Sequence, residues 1–120
     1  MLPPKIENYL NKGYTVAAEV EPEQGNRCFV RIRAIAKPDI PREASRYVNS
    51  KYSIWDYWSF EFRRIVLRSG WEQDGWNYDR YLINDEKRAT ANEFEFLETL
   101  NRWIPDATKL QHIQDSSCPE

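Results

Sequence analysis

Histidine occurs once in this chain, at position 112, and cysteine twice, at 28 and 118. A lone histidine so near the C-terminus offers a base for nucleophilic catalysis only if that site is built on the last residues. No Cys/His set has the spacing of a zinc site. Two cysteines are too few for a disulfide-stapled scaffold of this size. Cys28, inside an alternating run, reads as a small buried hydrophobe, and Cys118 lacks a sequence neighbour that would activate it. Glycine is scarce (Gly13, Gly25, Gly70 and Gly75), which leaves neither a phosphate loop nor a dinucleotide fingerprint. No run approaches the ~18 consecutive apolar residues of a membrane-spanning helix. The opening Met-Leu-Pro-Pro-Lys-Ile-Glu-Asn lacks the apolar region of a signal peptide. These absences lead to the expectation of a soluble cytoplasmic protein with reduced thiols, no metal, no cofactor and no membrane partner.

Aromatic residues, by contrast, are dense: five Trp, seven Tyr and five Phe among 120 residues. The length suits one core, with residues 1–104 expected as a single domain and 105–120 as a loosely ordered tail. Pro4 to Lys12 has a helical signature, because Pro4 suits a first turn and Ile6, Tyr9 and Leu10 share one face. Gly13 supplies its stop. Tyr14 to Glu21 alternates with period two, Tyr14, Val16, Ala18 and Val20 on one side. After a turn at Pro22 to Asn26, Arg27 to Ala36 repeats the pattern, with Cys28, Val30, Ile32, Ala34 and Ala36 opposed to Arg27, Phe29, Arg31, Arg33 and Ile35. A five-residue turn would set Glu21 opposite Arg27. The run Ile6 to Glu19 resembles, in Tyr9, Leu10, Gly13, Tyr14 and Glu19, the opening helix and strand of the RuBisCO small subunit; nothing after Glu21 continues the likeness, and no family follows from it.

Lys37 to Ser53 is a long connection, with a helical turn expected around Arg42 to Val48. Ile54 to Arg68 fits a helix or a strand, and its aromatic and β-branched content favours the strand. Trp58, Phe60 and Phe62 share one parity and Ile65 and Leu67 the other, so a bulge near Arg63-Arg64 is expected to return them to one core. Ser69 to Gly75 reads as a turn and Trp76 to Ile83 as the next strand. Thr90 and Glu93 suggest a capping box for a helix with Phe94, Leu97, Leu100, Trp103 and Ile104 as its stripe, ended by Pro105. The expected fold is α+β: an antiparallel sheet of about four strands, a short N-terminal helix, and a longer C-terminal helix packed on one face. Trp58 and Trp103 are the core tryptophans of this scheme.

The formal charge of -2 hides a segregation. Residues 1–26 carry two basic and four acidic side chains, residues 27–68 ten and four, and residues 69–120 five and eleven. The middle is therefore +6 between flanks of -2 and -6. Arginine with aromatic residues is the composition of a protein-interaction hot spot and also of a single-strand nucleic-acid platform. The candidate contact residues are Phe29, Arg31, Arg33, Arg63, Arg64, Trp71, Trp76 and Tyr78. A non-catalytic domain that binds an unknown protein partner is the leading expectation. A nucleic-acid module using Arg31, Arg33, Arg63 and Arg64 is the alternative, and an enzyme with a cross-strand carboxylate pair is a third. A homodimer through edge strands is open. The basic middle either forms an uncovered patch or is neutralised by the acidic flanks inside the fold.

Overall fold

The structure, a computed structural model, describes residues 2–23, 25–37, 55, 58–68, 70, 81–116 and 118. Its elements are α1 (Pro4–Asn11), β1 (Val16–Glu23), β2 (Asn26–Ala36), β3 (Trp58–Leu67), β4 (Leu82–Thr90), α2 (Glu93–Trp103) and β5 (Gln111–His112). Two 3-10 turns, Ala107–Lys109 and Ile113–Asp115, flank β5. The strands form one antiparallel sheet in the order β4-β3-β2-β1-β5. The expected α+β architecture, with a short N-terminal helix and a C-terminal helix against the sheet, is what the chain adopts. No helix among the described residues is long and apolar enough to cross a membrane.

Helix α1 ends as its sequence implies. Gly13 takes φ +80°, which costs a glycine little. Its N–H donates to the Leu10 carbonyl at 3.0 Å while that of Tyr14 donates to the Tyr9 carbonyl at 2.9 Å. Those two bonds satisfy carbonyls that the last turn would leave orphaned. Strands β1 and β2 then pair with Val16 opposite Ile32 and Glu19 opposite Phe29. The turn is tighter than expected, since Glu23 already pairs with Asn26, and the register shifts between Val20 and Glu23. From Val16 to Val20 the register is the one expected, with Val20 opposite Cys28 and Glu19 opposite Phe29, and Arg27 makes its ion pair with Glu19, diagonally across the two strands.

One face of the sheet packs under both helices. Ile6 and Leu10 of α1, Phe96 and Leu100 of α2, and Ile104 just past its end close over Val16, Ala18, Val30, Ile32, Trp58, Phe60 and Phe62. Rings meet edge-on or tilted here: Phe96 lies 5.0 Å from Trp55, 5.1 Å from Phe60 and 5.1 Å from Phe62. Trp58 is buried and its indole N–H donates to the Asn11 carbonyl at 3.2 Å, which ties α1 to β3. Trp103 is partly buried against the same core.

The expected bulge at Arg63-Arg64 is absent. Strand β3 pairs with β2 without interruption from Trp58 opposite Ala36 to Leu67 opposite Arg27. Ile65 and Leu67 therefore keep their parity and point to the other face. There they join Ala17, Phe29 and Cys118 in a second buried cluster, with Tyr81, Leu82 and Ile113 packed against it. The sheet has apolar residues on both faces, so no correction of phase is needed.

Strand β4 begins at Leu82, where the expected strand was about to end. Residues 71–80, and with them most of the expected turn and the first residues of that strand, lie outside the described residues, as do residues 38–54. Thr90 closes β4 instead of capping the helix, and its hydroxyl donates to the Phe60 carbonyl at 3.0 Å. The cap is Asn92, whose Oδ1 accepts from the Glu95 N–H at 2.9 Å, while Glu95 Oε1 accepts from the Ala91 N–H at 2.8 Å. With this start the buried stripe is Phe96, Leu100 and Ile104, and Phe94 is 75% exposed. Beyond Pro105, where a tail was expected, β5 joins the sheet and Leu110 is buried in the helix-side core.

Candidate binding face

Antiparallel partners in register lie on the same face of a sheet. On the face away from the helices the register sets Ala17, Arg31, Arg63 and Lys87 abreast on β1, β2, β3 and β4. The next row is Glu19, Phe29, Ile65 and Asp85, and on the other side Arg33 pairs with Glu61 and Glu61 with Ala89. Adjacent strands are ~4.8 Å apart, so three cations span about 10 Å. Like charges directly opposite one another destabilise a sheet, and a carboxylate from the next row relieves this one. Asp85 receives two hydrogen bonds from Arg63, Nε to Oδ1 at 2.8 Å and the terminal nitrogen to Oδ2 at 2.6 Å. These bonds hold the Asp85 carboxyl below its ordinary value, with the charges of Arg63, Lys87 and Arg31 adding to the effect. Glu61 lies 3.6 Å from Arg33, a looser pair in which the arginine side chain is 57% exposed. Arg31 makes no ion pair among the described residues.

Of the residues expected to make contacts, this geometry brings together Arg31, Arg33 and Arg63. Phe29 lies beneath them at 0% exposure, so it holds the face up instead of offering a ring to a partner. The Arg27 guanidinium sits 5.1 Å from its ring centre while bonding bidentately to Glu19. Arg64 has the parity of Phe62 and Val66 and points to the helix side, 3.7 Å from Glu86. It leaves the set because β3 has no bulge. Trp71, Trp76 and Tyr78 lie outside the described residues. Sequence reasoning missed Lys87 and Asp85, since the strand that carries them has no apolar alternation. The hint available was the alternation of Asp85, Lys87 and Ala89 against Asn84, Glu86 and Arg88.

An open groove of about 300 Å³ runs beside the row, lined by Thr15, Arg31, Arg33 and Ile113. Its far wall belongs to the segment after β5, which crosses this face and inserts Cys118 into the second cluster. Burial pushes the Cys118 thiol up to about 11 against the opposing pull of Arg31 and Arg63, so it is a packing group here rather than a nucleophile. His112 is not idle either. Its ring stacks edge-on against Tyr9 at 5.3 Å and Tyr14 at 5.4 Å, and Nδ1 accepts from the Gln114 N–H at 3.2 Å. That bond starts the turn at Ile113–Asp115 and so directs the chain toward the face.

What the face presents chemically is the N–H donors of three arginine and lysine side chains on neighbouring strands. Glu19, Glu61 and Asp85, carboxylates of the face, each turn to an arginine and not to each other. Among the described residues no three His, Cys, Asp or Glu side chains converge to hold a metal ion. No protein-family model, curated protein or solved structure matches the chain.

Proposed function

We propose that the protein is a non-catalytic binding domain that takes an acidic segment of a protein partner across Arg31, Arg33, Arg63 and Lys87. The observation that supports this most directly is the row of three cations on neighbouring strands, in which Asp85 answers Arg63 and no described acid answers Arg31. A segment rich in Asp or Glu would complete the row, with Arg31 bonding carboxylates as a two-pronged donor. The groove at Thr15 and Ile113 gives that segment a wall on one side. The nucleic-acid alternative keeps Arg31, Arg33 and Arg63 on one face but loses Arg64 to the helix side and Phe29 as a stacking ring, because that residue is buried.

The test is a titration of the isotope-labelled protein with a hexa-glutamate peptide, followed by amide chemical shifts at low salt. Saturable shifts at Arg31, Arg33 and Lys87, lost in Arg31→Glu, are expected. A response unchanged by Arg31→Glu would remove the proposal. A single-stranded oligonucleotide that binds the same residues more tightly at equal salt would replace the acidic segment with phosphates, and its affinity would fall steeply with salt.

A further inference from the structure

Strand β5 covers only part of β1. It pairs with Val16 and Ala17, and the Ile113 N–H donates to the Thr15 carbonyl at 3.1 Å. Strand β1 runs on to Glu23. In an antiparallel ladder the backbone groups of alternate residues face the same edge. Thr15, Ala17 and then Glu19 therefore turn their N–H and C=O groups toward the β5 side, and Glu19 stands past the end of β5. No described strand pairs with β1 there, because the chain before β5 swings away through the turn Ala107–Lys109. The space left is an edge groove of about 400 Å³ lined by Glu19, Val20, Glu21, Lys109 and Gln111. A smaller recess of about 90 Å³ adjoins it, with Val20, Ile104 and Pro105 among its walls.

We propose that this edge accepts an extended basic segment of a partner protein as an added strand continuing the line of β5. Side chains of a strand alternate between faces, and β1 presents Glu19 on one face and Val20 on the other. The fitting segment reads basic, apolar, basic. Its apolar residue enters the recess at Val20, Ile104 and Pro105, and its cations lie over Glu21 and over Glu19; the Glu19 carboxylate already receives two bonds from Arg27 and Lys109 lines the opposite wall, so Glu21 carries the charge preference. Main-chain bonds to Glu19 supply affinity and the alternating side chains supply selectivity, the logic of strand addition. The carboxylates decide against a second copy as occupant: antiparallel pairing of two β1 edges would bring Glu19 and Glu21 against their own counterparts, and like charges across a strand pair repel. The register of β1 shifts between Val20 and Glu23, so the regular edge, and with it the added strand, ends there.

The probe is the peptide acetyl-Thr-Lys-Val-Lys-Thr-amide, titrated into the labelled full chain. Saturable shifts are expected at the Glu19 and Glu21 amides, together with slowed hydrogen exchange at Glu19. Glu21→Lys should weaken binding about fivefold, the scale of one exposed charge pair, and Arg31→Glu should leave it unchanged, which separates this edge from the cationic face. N-methylation of both lysine amides removes the main-chain donors and keeps the charge, so that peptide should fail to bind. Equal binding by the methylated peptide would overturn the proposal, as would shifts confined to other surfaces, absence of saturation at millimolar peptide, or a protein dimer closed through β1 that the peptide does not open.

Discussion

Phe94 and Phe96 stand two residues apart in α2, and their replacement by alanine should have opposite consequences. Phe96 is fully buried and touches Trp55, Phe60 and Phe62 with ring centres 5.0 to 5.1 Å apart. Truncating a phenylalanine in such a site removes its transfer energy and its ring contacts and leaves a cavity, about 3–5 kcal/mol together. A value of about 4 kcal/mol is a large part of the ~5–15 kcal/mol that holds a domain. For a chain of this length it corresponds to a fall of about 15 °C in Tm. Phe94 is 75% exposed, so Phe94→Ala should stay within ~0.5 kcal/mol. Urea unfolding monitored by tryptophan fluorescence measures both, with the m-value checking that the unfolded state is unchanged. Comparable losses for the two variants, or the larger loss at Phe94, would mean that α2 sits in a different rotation from the one described, with its cap at Thr90.

Leu110→Ala should cost about 2–3 kcal/mol in the same assay, because Leu110 is buried in the helix-side core; a silent substitution would show that the segment after Pro105 does not pack. Asp85 is held below its ordinary value by Arg63, so it stabilises the fold above pH ~4 and that contribution is lost as pH falls through the lower folded value. The pair is partly exposed, which limits the effect to under ~1 kcal/mol; Asp85→Asn should flatten the acid limb of the stability curve, and an unchanged limb would contradict the pairing. The folded Cys118 thiol titrates near 11 against an ordinary 9.0, so its contribution is full below pH 9 and is lost as pH rises toward 11. Both cysteines are buried, and a thiol reagent at pH 8 should modify neither until denaturant is added; fast labelling of Cys118 in the native protein would refute its burial.

What was legible in the sequence follows from which physical rule selects each element. β1 and β2 carry an apolar residue at every second position toward the helices, so period two is written into them although Ala17 and Phe29 are buried on the far face as well, and α1 carries its own stop at Gly13. β3 was legible as a strand but not in full, because Ile65 and Leu67 make sense only when a second apolar cluster lies on the far face. A reading that allows one core must invent a bulge to recover them, and that bulge in turn misplaced Arg64. β4 was nearly illegible. It is an edge strand whose middle residues, Ile83 to Lys87, are all exposed, so its place comes from the ladder to β3 and not from burial. The segment after Pro105 was missed because only scattered residues (Leu110, Ile113 and Cys118) tie it down, each one in a different packing context. At the candidate face, parity alone grouped Arg31, Arg33 and Arg63, whereas Lys87 and Asp85 needed the register of a strand that periodicity does not mark.

The order of charge along the chain has a physical use that the total of -2 conceals. A sheet ordered β4-β3-β2-β1 places the basic strands β2 and β3 in the centre and acid-bearing strands on either side. Glu19 from β1 reaches Arg27, and Asp85 and Glu86 from β4 reach Arg63 and Arg64. Segregation in sequence thus becomes neutralisation across strands. Among the described residues it stops short at Arg31, for a reason visible in the register. The β1 residue opposite Arg31 is Ala17, where an acid would complete the pattern. Ala17 is 0% exposed and packs with Phe29 and Cys118 in the second cluster. A carboxylate there would be buried under the crossing C-terminal segment at a cost of several kcal/mol. The apolar packing that anchors the C-terminal segment therefore excludes a counter-charge from β1, and Arg31, which has no ion pair among the described residues, owes that to how the end of the chain is held.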